Sequence, residues 1–497
     1  MRLTATLALI PALLFSPTAG AFERQDWLDD YAALKTALEQ RYANLAWFAS
    51  PQSGVNLPAL DKRTRRLLEI AEDDAMAKAA LSGFINGFHD GHLSSAGPVL
   101  QTKIAQPLAM PKVDYSKLNA TQACAILGYA PQRGVAFSLP FESLPGTVLE
   151  ADGLARTFRS GVVTAPDGTR LGVVRISRFR EQDASPAACM QAWSERQAKG
   201  AMSDADIKPV KEAAGAAWMR TLAAQLQHFR EQKVAAVMVD VGGNSGGNDS
   251  GDWATRLFTA RDVHSAPMLM VAAPVAAQYF DEQLGQLRAA QKETDATPEA
   301  QTMLEQSIAA FEARKAGIAA RGCDLSWAWS EQRPWQPYGC SRLIEAGYAS
   351  GQASYLPAKS FGNQKIASSI YWAAEVDELR GAWSGPVYVL TDGGTASSAE
   401  MFASLMQDAV GARIVGGASS GDGCGFMAST PPVELPHSHL RYRVPNCTRL
   451  RADGSNEVTG VKPDLPILPA DGEGDRARAW RLLDTVAADL RARSAKP

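Results

Sequence analysis

Val387-Tyr-Val-Leu-Thr-Asp-Gly-Gly-Thr-Ala-Ser-Ser-Ala-Glu400 sets strand formers, a Gly-Gly turn and a helix start around one serine, Ser397. Strand propensity over Val387 to Leu390 gives way to apolar residues at helical spacing, Met401, Phe402, Leu405 and Met406, so Ser397 falls where a strand becomes a helix. Unpaired N–H groups and the positive dipole end of a helix stabilise developing negative charge there, as acyl transfer requires. The same residues also spell a capping box, in which Ser397 only caps the helix and Glu400 returns the bond.

Outward from this stretch the pattern is α/β. A strand is expected over Leu171 to Phe179, a helix over Ala213 to Gln232 with Trp218, Leu222, Leu226 and Phe229 on one face, and a buried strand over Val234 to Val241. Residues 22–98 read as an N-terminal helical cap, 99–168 as a small strand-rich segment, and 169–497 as a core with a mixed, twisted sheet. An insertion at about 279–345 reads as a charged, alanine-rich helical arm, polar on most faces.

The composition narrows the function. The 497 residues are 46% hydrophobic and 21% charged, with a net charge of −3 and no basic block, which argues against nucleic acid and anionic lipid. Arg2, the apolar run Leu7 to Phe15 and Ala19-Gly-Ala21 read as a signal peptide over 1–21, and no later run is long enough for a membrane anchor. A periplasmic or secreted protein is expected. Six cysteines in the exported part suggest disulfides; neighbour pairing (124–189, 323–340, 424–447) is the simplest of fifteen connectivities, and no zinc-type spacing appears. No cofactor or metal is implied.

A second informative turn, Val239-Asp-Val-Gly-Gly-Asn-Ser-Gly-Gly-Asn248, follows the buried strand. It lacks the Gly-Lys-Ser/Thr ending of a phosphate loop. Gly243-Asn-Ser-Gly-Gly247 does fit G-x-S-x-G, which would make Ser245 the nucleophile of an α/β-hydrolase-type esterase, with His437 or His439 as its late histidine. Gly417-Ala-Ser-Ser-Gly421 fits that pattern equally, so the match decides little.

Five stretches in order resemble the tail-specific, or C-terminal processing, serine proteases and their tricorn-core and retinoid-binding relatives. They are His89-Asp-Gly-His-Leu-Ser94, Val239 to Gly247, Gly394 to Asp408, Arg413-Ile-Val-Gly-Gly417, and Glu457-Val-Thr-Gly-Val-Lys-Pro-Asp464. The resemblance implies a peptidase acting on peptide or protein, with Ser397 as nucleophile and the N–H groups of Gly246 and Ser398 as oxyanion hole. Many members take their base from a lysine in a Gly-Lys-Gly turn, but here the turn is Gly421-Asp-Gly423, and no lysine lies between Lys365 and Lys462. The branch with a histidine base and a late glutamate fits instead, with His92 as base and Glu457 to orient it. In that branch a hydroxyl residue precedes the histidine, where this chain has Gly91. His89 reads as a cap-type residue and Asp422 as a plain turn residue. A Cys424–Cys447 bridge would pin the loop beside the nucleophile. A non-catalytic ligand- or peptide-binding protein on the same scaffold is the other class, since some relatives hold apolar ligands. Oligomeric state is not legible.

Overall fold

A computed structural model describes residues 22–97, 113–129, 135–154, 157–180, 186–320, 322–339 and 342–495. The expected signal peptide, the Pro-rich start of the 99–168 segment and Cys340 lie outside them.

The chain opens with α1 (Arg24–Arg41), the short α2 (Leu45–Phe48), α3 (Leu57–Glu69) and α4 (Asp74–Asn86), then β1 (Ser94–Ala96). Asn56 and Asp73 begin α3 and α4 by accepting the Ala59 and Met76 N–H groups, as short polar side chains do at helix starts. Trp27, Tyr31, Leu34 and Leu38 recur on the buried face of α1 and meet Leu81, Phe84 and Phe88 in a core of their own.

After α5 (Ala120–Ile126) come β2 (Val148–Asp152), β3 (Arg159–Thr164) and β4 (Arg170–Arg175), then α6 (Pro186–Gln197), α7 (Asp204–Glu231) and β5 (Ala236–Asp240). Helix α7 starts nine residues before the expected Ala213, because a reciprocal Ser203–Asp206 capping box nucleates it there. Strands β2 and β3, from the stretch read as a separate strand-rich piece, continue the core sheet, because the Asp167-Gly168 turn folds β3 back on β4 with Ser160 opposite Val174.

Next are α8 (Ser250–Ala254), β6 (Pro267–Val271), α9 (Pro274–Ala290), α10 (Pro298–Gly317), β7 (Leu343–Tyr348), α11 (Gln364–Ile370), β8 (Val387–Thr391) and α12 (Ser398–Leu405). The chain closes with β9 (Arg413–Gly416), β10 (Val433–Glu434), β11 (Arg441–Arg443), β12 (Cys447–Arg449), β13 (Leu465–Pro466) and α13 (Asp475–Ser494). The inserted helices are more than a polar arm. Tyr279, Phe280, Leu284 and Leu287 of α9 face Leu304 and Phe311 of α10, and this layer packs with α11 against a second sheet ordered β12-β6-β7.

The central sheet runs β13-β9-β8-β5-β4-β3-β2, with β4, β5, β8, β9 and β13 parallel and β2–β3–β4 antiparallel. It is therefore mixed α/β, as expected. Helices α6, α7 and α12 cover one face; α13 covers the other with Leu482, Leu483, Val486 and Leu490. The four-residue apolar runs of β5 and β8 are fully buried because both faces are covered. Among the described residues no helix is long and apolar enough to cross a membrane.

The N-terminal unit docks through a shared apolar cluster, in which Trp329, Leu435, Tyr442 and Val444 pack among its side chains, and through polar contacts. Buried Asp30 of α1 accepts the His437 and Ser438 N–H groups at 2.9 and 2.8 Å, fixing the β10–β11 turn, and β1 pairs with β11. Behind α12, Phe402 lies between Phe179 and Phe258, with ring centroids 5.2 and 5.9 Å away. Phe402→Ala is expected to cost about 3–5 kcal/mol, measured as a lowered midpoint in urea or thermal unfolding, because the rigid rings around it cannot collapse into the space.

Candidate active site

Strands β5 and β8 are parallel neighbours, so the turns leaving their C-terminal ends lie side by side, where open parallel sheets place their ligands. Asp392 holds them together: its Oδ1 accepts the Gly243 N–H at 2.7 Å and the Gly394 N–H at 2.9 Å. Ala396 N–H donates to Asn244 O at 2.9 Å, and Thr395 Oγ1 donates to Val241 O at 2.9 Å. Below, the buried Asp240 pairs with Arg175 at 2.9 Å and accepts the Ser138 hydroxyl at 2.6 Å, anchoring the first turn to β4.

Ser397 sits at the mouth of α12 with φ 55° and ψ −119°. A side chain there costs about 1–3 kcal/mol of backbone strain, and such strain persists only where surrounding contacts enforce it. The same backbone angle presents the serine of a nucleophile elbow, a sharp strand-to-helix turn. Ser245, the rival, has no positive φ, is exposed, and precedes a helix of only five residues. Its expected partners lie elsewhere: His437 faces Asp26 of α1, and His439 faces Glu434.

Of the two expected oxyanion donors, Ser398 N–H is at the first helical position and has no hydrogen-bond acceptor among the described residues. The Gly246 N–H is already engaged, donating to Asn244 Oδ1 at 2.8 Å. Gly246 matters by what it lacks. With φ 90°, a Cβ there would stand 2.7 Å from both Ser397 Cβ and Ser398 N, filling the space beside the nucleophile.

His92 arrives from the N-terminal unit. Asp90 Oδ1 accepts its backbone N–H at 2.9 Å, while Oδ2 accepts from Tyr42 Oη at 2.7 Å and Asn44 Nδ2 at 3.2 Å. Burial pushes the Asp90 carboxyl up, opposed by His92 and these donors. The ring lies over Gly425, edge-on to Phe426, and its Nδ1 is 3.0 Å from the main-chain carbonyl of Asp422. A carbonyl only accepts, so Nδ1 carries a proton, and in the neutral ring the lone pair is on Nε2.

Glu457, expected to orient His92, is turned away from it. Its buried carboxylate pairs with Arg449 and accepts Ser404 Oγ at 2.6 Å. The Asp422 carbonyl takes that position, so Asp422 is more than a turn residue. Its side chain also explains Gly91: Asp422 Oδ1 accepts the Gly91 N–H at 3.1 Å, and a Cβ on Gly91 would come within 2.1 Å of that oxygen. A hydroxyl residue before this histidine would have to displace the Asp422 carboxylate. His89 is an exposed residue with φ 55° that closes α4, in keeping with a cap.

Sequence reading gave Glu400 only a capping role. It is completely buried, and besides the Ser397 N–H at 3.2 Å its carboxylate accepts the N–H groups of Gly421, Asp422 and Gly423 at 2.6, 2.8 and 2.9 Å and Ser419 Oγ at 2.7 Å. The two glycines flanking an aspartate, both with positive φ, were the legible signal. No hydrogen bond joins Ser397 directly to His92; they are linked through Asp422 and Glu400. The Cys424–Cys447 and Cys124–Cys189 disulfides are formed, the first fastening the 421–423 turn to β12. Closing its loop is worth about 3 kcal/mol in a chain-entropy picture. Among the described residues no group of three His, Cys, Asp or Glu side chains is arranged to hold a metal ion.

The C-terminal turns of β5 and β8 thus hold a strained serine at a helix N-terminus, and the His92 imidazole reaches the adjoining 421–423 turn. Residues 276–467 match the model of Peptidase family S41. Mature CPAF is similar in structure, at 15% identity over 95% of this chain and 99% of that one, with a TM-score of 0.54; CPAF complexed with lactacystin gives 15% over the same shares and 0.53. The photosystem II D1 C-terminal processing protease matches at 14% identity over 93% of this chain and 98% of that one, with a TM-score of 0.30. No curated protein matches. The family match spans less than half of the 497 residues; over 276–467 the chain is similar to family S41, the tail-specific serine peptidases.

Two outcomes follow from the site's packing. Gly91→Ala is expected to displace the 422 turn and lower kcat/KM by on the order of 10- to 100-fold, and Gly91→Ala/Asp422→Ala to recover most of it; steady-state kinetics of the three proteins checks this. Burial, opposed by Ser419 but aided by Glu457 and Asp422, raises Glu400 from an ordinary 4.5 to about 7. An acid raised on folding favours the folded state fully below its unfolded value, and that contribution is lost as pH rises through the folded one. Between pH 8 and 5 the stability of the protein relative to Glu400→Gln is therefore expected to shift in favour of the parent as pH falls, read from denaturant midpoints.

Proposed function

We propose that the protein is an exported serine peptidase in which Ser397 is acylated by a peptide carbonyl with His92 as general base. The observation that carries this reading is the His92 Nδ1 contact with Asp422 O at 3.0 Å, on a turn bound by the residue three after Ser397. The fixed tautomer leaves Nε2 to take the Ser397 hydroxyl proton during attack and to return it to the leaving amine. Catalytic hydrogen bonds are often long in substrate-free enzymes and tighten when substrate binds. Ser398 N–H, at the positive end of α12, faces the charge that develops on the tetrahedral oxygen. Gly246 N–H joins only by sharing its bond to Asn244. Glu457 acts at a distance, tying α12 through Ser404 to Arg449 of β12.

Export is supported by the N-terminal Arg2 and Leu7–Phe15 pattern and by the two disulfides, which persist in oxidising compartments. A serine-directed fluorophosphonate is expected to label the purified protein on Ser397, with His92→Ala slowing labelling about 10²- to 10⁴-fold and the mature chain starting at Phe22 in the same peptide map. Label on Ser245 would favour the esterase elbow, and a folded protein that takes no label would favour a binding protein.

A further inference from the structure

We infer that Glu400 is a positioning residue that holds the nucleophile and the base in register through one carboxylate. The inference rests on the Ser397–His92 reading above. All five contacts of Glu400 are donors aimed at it. Four are backbone N–H groups, and the fifth, Ser419 Oγ, already accepts the Val461 N–H at 2.6 Å, so its own hydrogen is free for Glu400. Oε2 alone takes Ser397 N–H at 3.2 Å and the Asp422 and Gly423 N–H groups at 2.8 and 2.9 Å. One oxygen thus clamps the strained residue at the helix mouth and the peptide unit preceding the carbonyl that sets the His92 tautomer.

The turn has the form of an anion-binding nest. Gly421 and Gly423, at φ 85° and 54°, turn three successive N–H groups inward, where an anion is needed to satisfy them. Neither glycine has room for a side chain: a Cβ on Gly421 would meet Val458 O at 3.0 Å, and one on Gly423 would meet Val458 N at 2.8 Å. Relatives that take a lysine base from this turn supply the proton acceptor as a side chain. In this chain the turn supplies only a carbonyl, so its orientation must be enforced, and Glu400 is the group that does so. An amide would put its NH₂ against N–H groups, leaving two or three donors facing a donor.

The groups facing Glu400 are Ser419 and the 421–423 backbone on one side, Ser397 on its own helix, and the Glu457 and Asp422 carboxylates. Both carboxylates repel its charge. Burial and these charges outweigh the donors, which is why Glu400 is raised to about 7; at pH 8.5 the ionised form occupies the nest.

The test compares the parent, Glu400→Gln and Ser419→Ala by the rate of fluorophosphonate labelling at Ser397 and by the ¹⁵N NMR tautomer of His92 at pH 8.5. Glu400→Gln is expected to label 10- to 100-fold more slowly, a range typical of a misplacement of about 1 Å, and to shift His92 from the Nδ1–H form to a mixture of tautomers. Should that variant not fold, Ser419→Ala, which removes one donor, is expected to give a smaller loss with the same direction of tautomer change. Slower labelling with an unchanged tautomer would reduce Glu400 to a structural residue and overturn the inference, as would parental rates in both variants. A parent unlabelled on Ser397 would instead sink the nucleophile assignment, and the tautomer comparison would then decide the hold on the turn by itself.

Discussion

The parallel pairing of β5 with β8, Val237 opposite Val387 and Asp240 opposite Leu390, is the constraint on which the site depends. A parallel register sends both strands out of the sheet at the same end, so two glycine-rich turns 150 residues apart in sequence emerge in contact. Asp392 then cross-links them through Gly243, and Ala396 hydrogen-bonds Asn244. A slip of one residue would turn every buried side chain of β8 to the opposite face and carry Ser397 away from Gly246. The burial of both strands on both faces makes such a slip costly, so the precision of a reactive serine is borrowed from the central sheet.

On this frame the chemistry is assembled from backbone as much as from side chains. Ser397 is presented by an unusual φ/ψ pair beside a glycine with no room for a Cβ, His92 meets a peptide carbonyl, and the turn bearing that carbonyl is held through three peptide N–H groups. Charged side chains serve mainly to fix those backbone elements: Asp240 and Asp392 the first turn, Asp90 the base, Glu400 the third turn. Glu457 ties α12, through Ser404, to Arg449 of β12. Burying several carboxylates is costly unless each is fully hydrogen-bonded or paired, and each of these has partners.

Much of this was legible in the chain. Periodicity identified the N-terminal helices, α7, β5 and β8, because each is long or strongly apolar, and the Gly-Gly turns marked the strand ends. The expectation that 279–345 forms a polar arm missed the apolar side of α9 because alanines and charges dilute the Tyr279, Phe280, Leu284 and Leu287 stripe. The separate 99–168 piece was a consequence of reading breaks at prolines, whereas the hairpin at Asp167 and Gly168 welds β2 and β3 to β4. The family resemblance implied a carboxylate beside His92; residue types could not reveal a carbonyl, since every residue has one. Gly91 looked like a departure until Asp422 supplied the steric reason for it. The neighbour pairing of cysteines 124–189 and 424–447 was the simplest guess and is what the fold forms.

His92 meets its tautomer-setting carbonyl across 330 positions of sequence. Between them the ribosome must deliver the sheet, the inserted layer and the serine itself, and the β12 anchor of the turn follows later still. A nascent fragment that ends before residue 422 therefore lacks the carbonyl His92 meets, and a chain cut anywhere in the interval keeps that contact only while its two pieces stay docked.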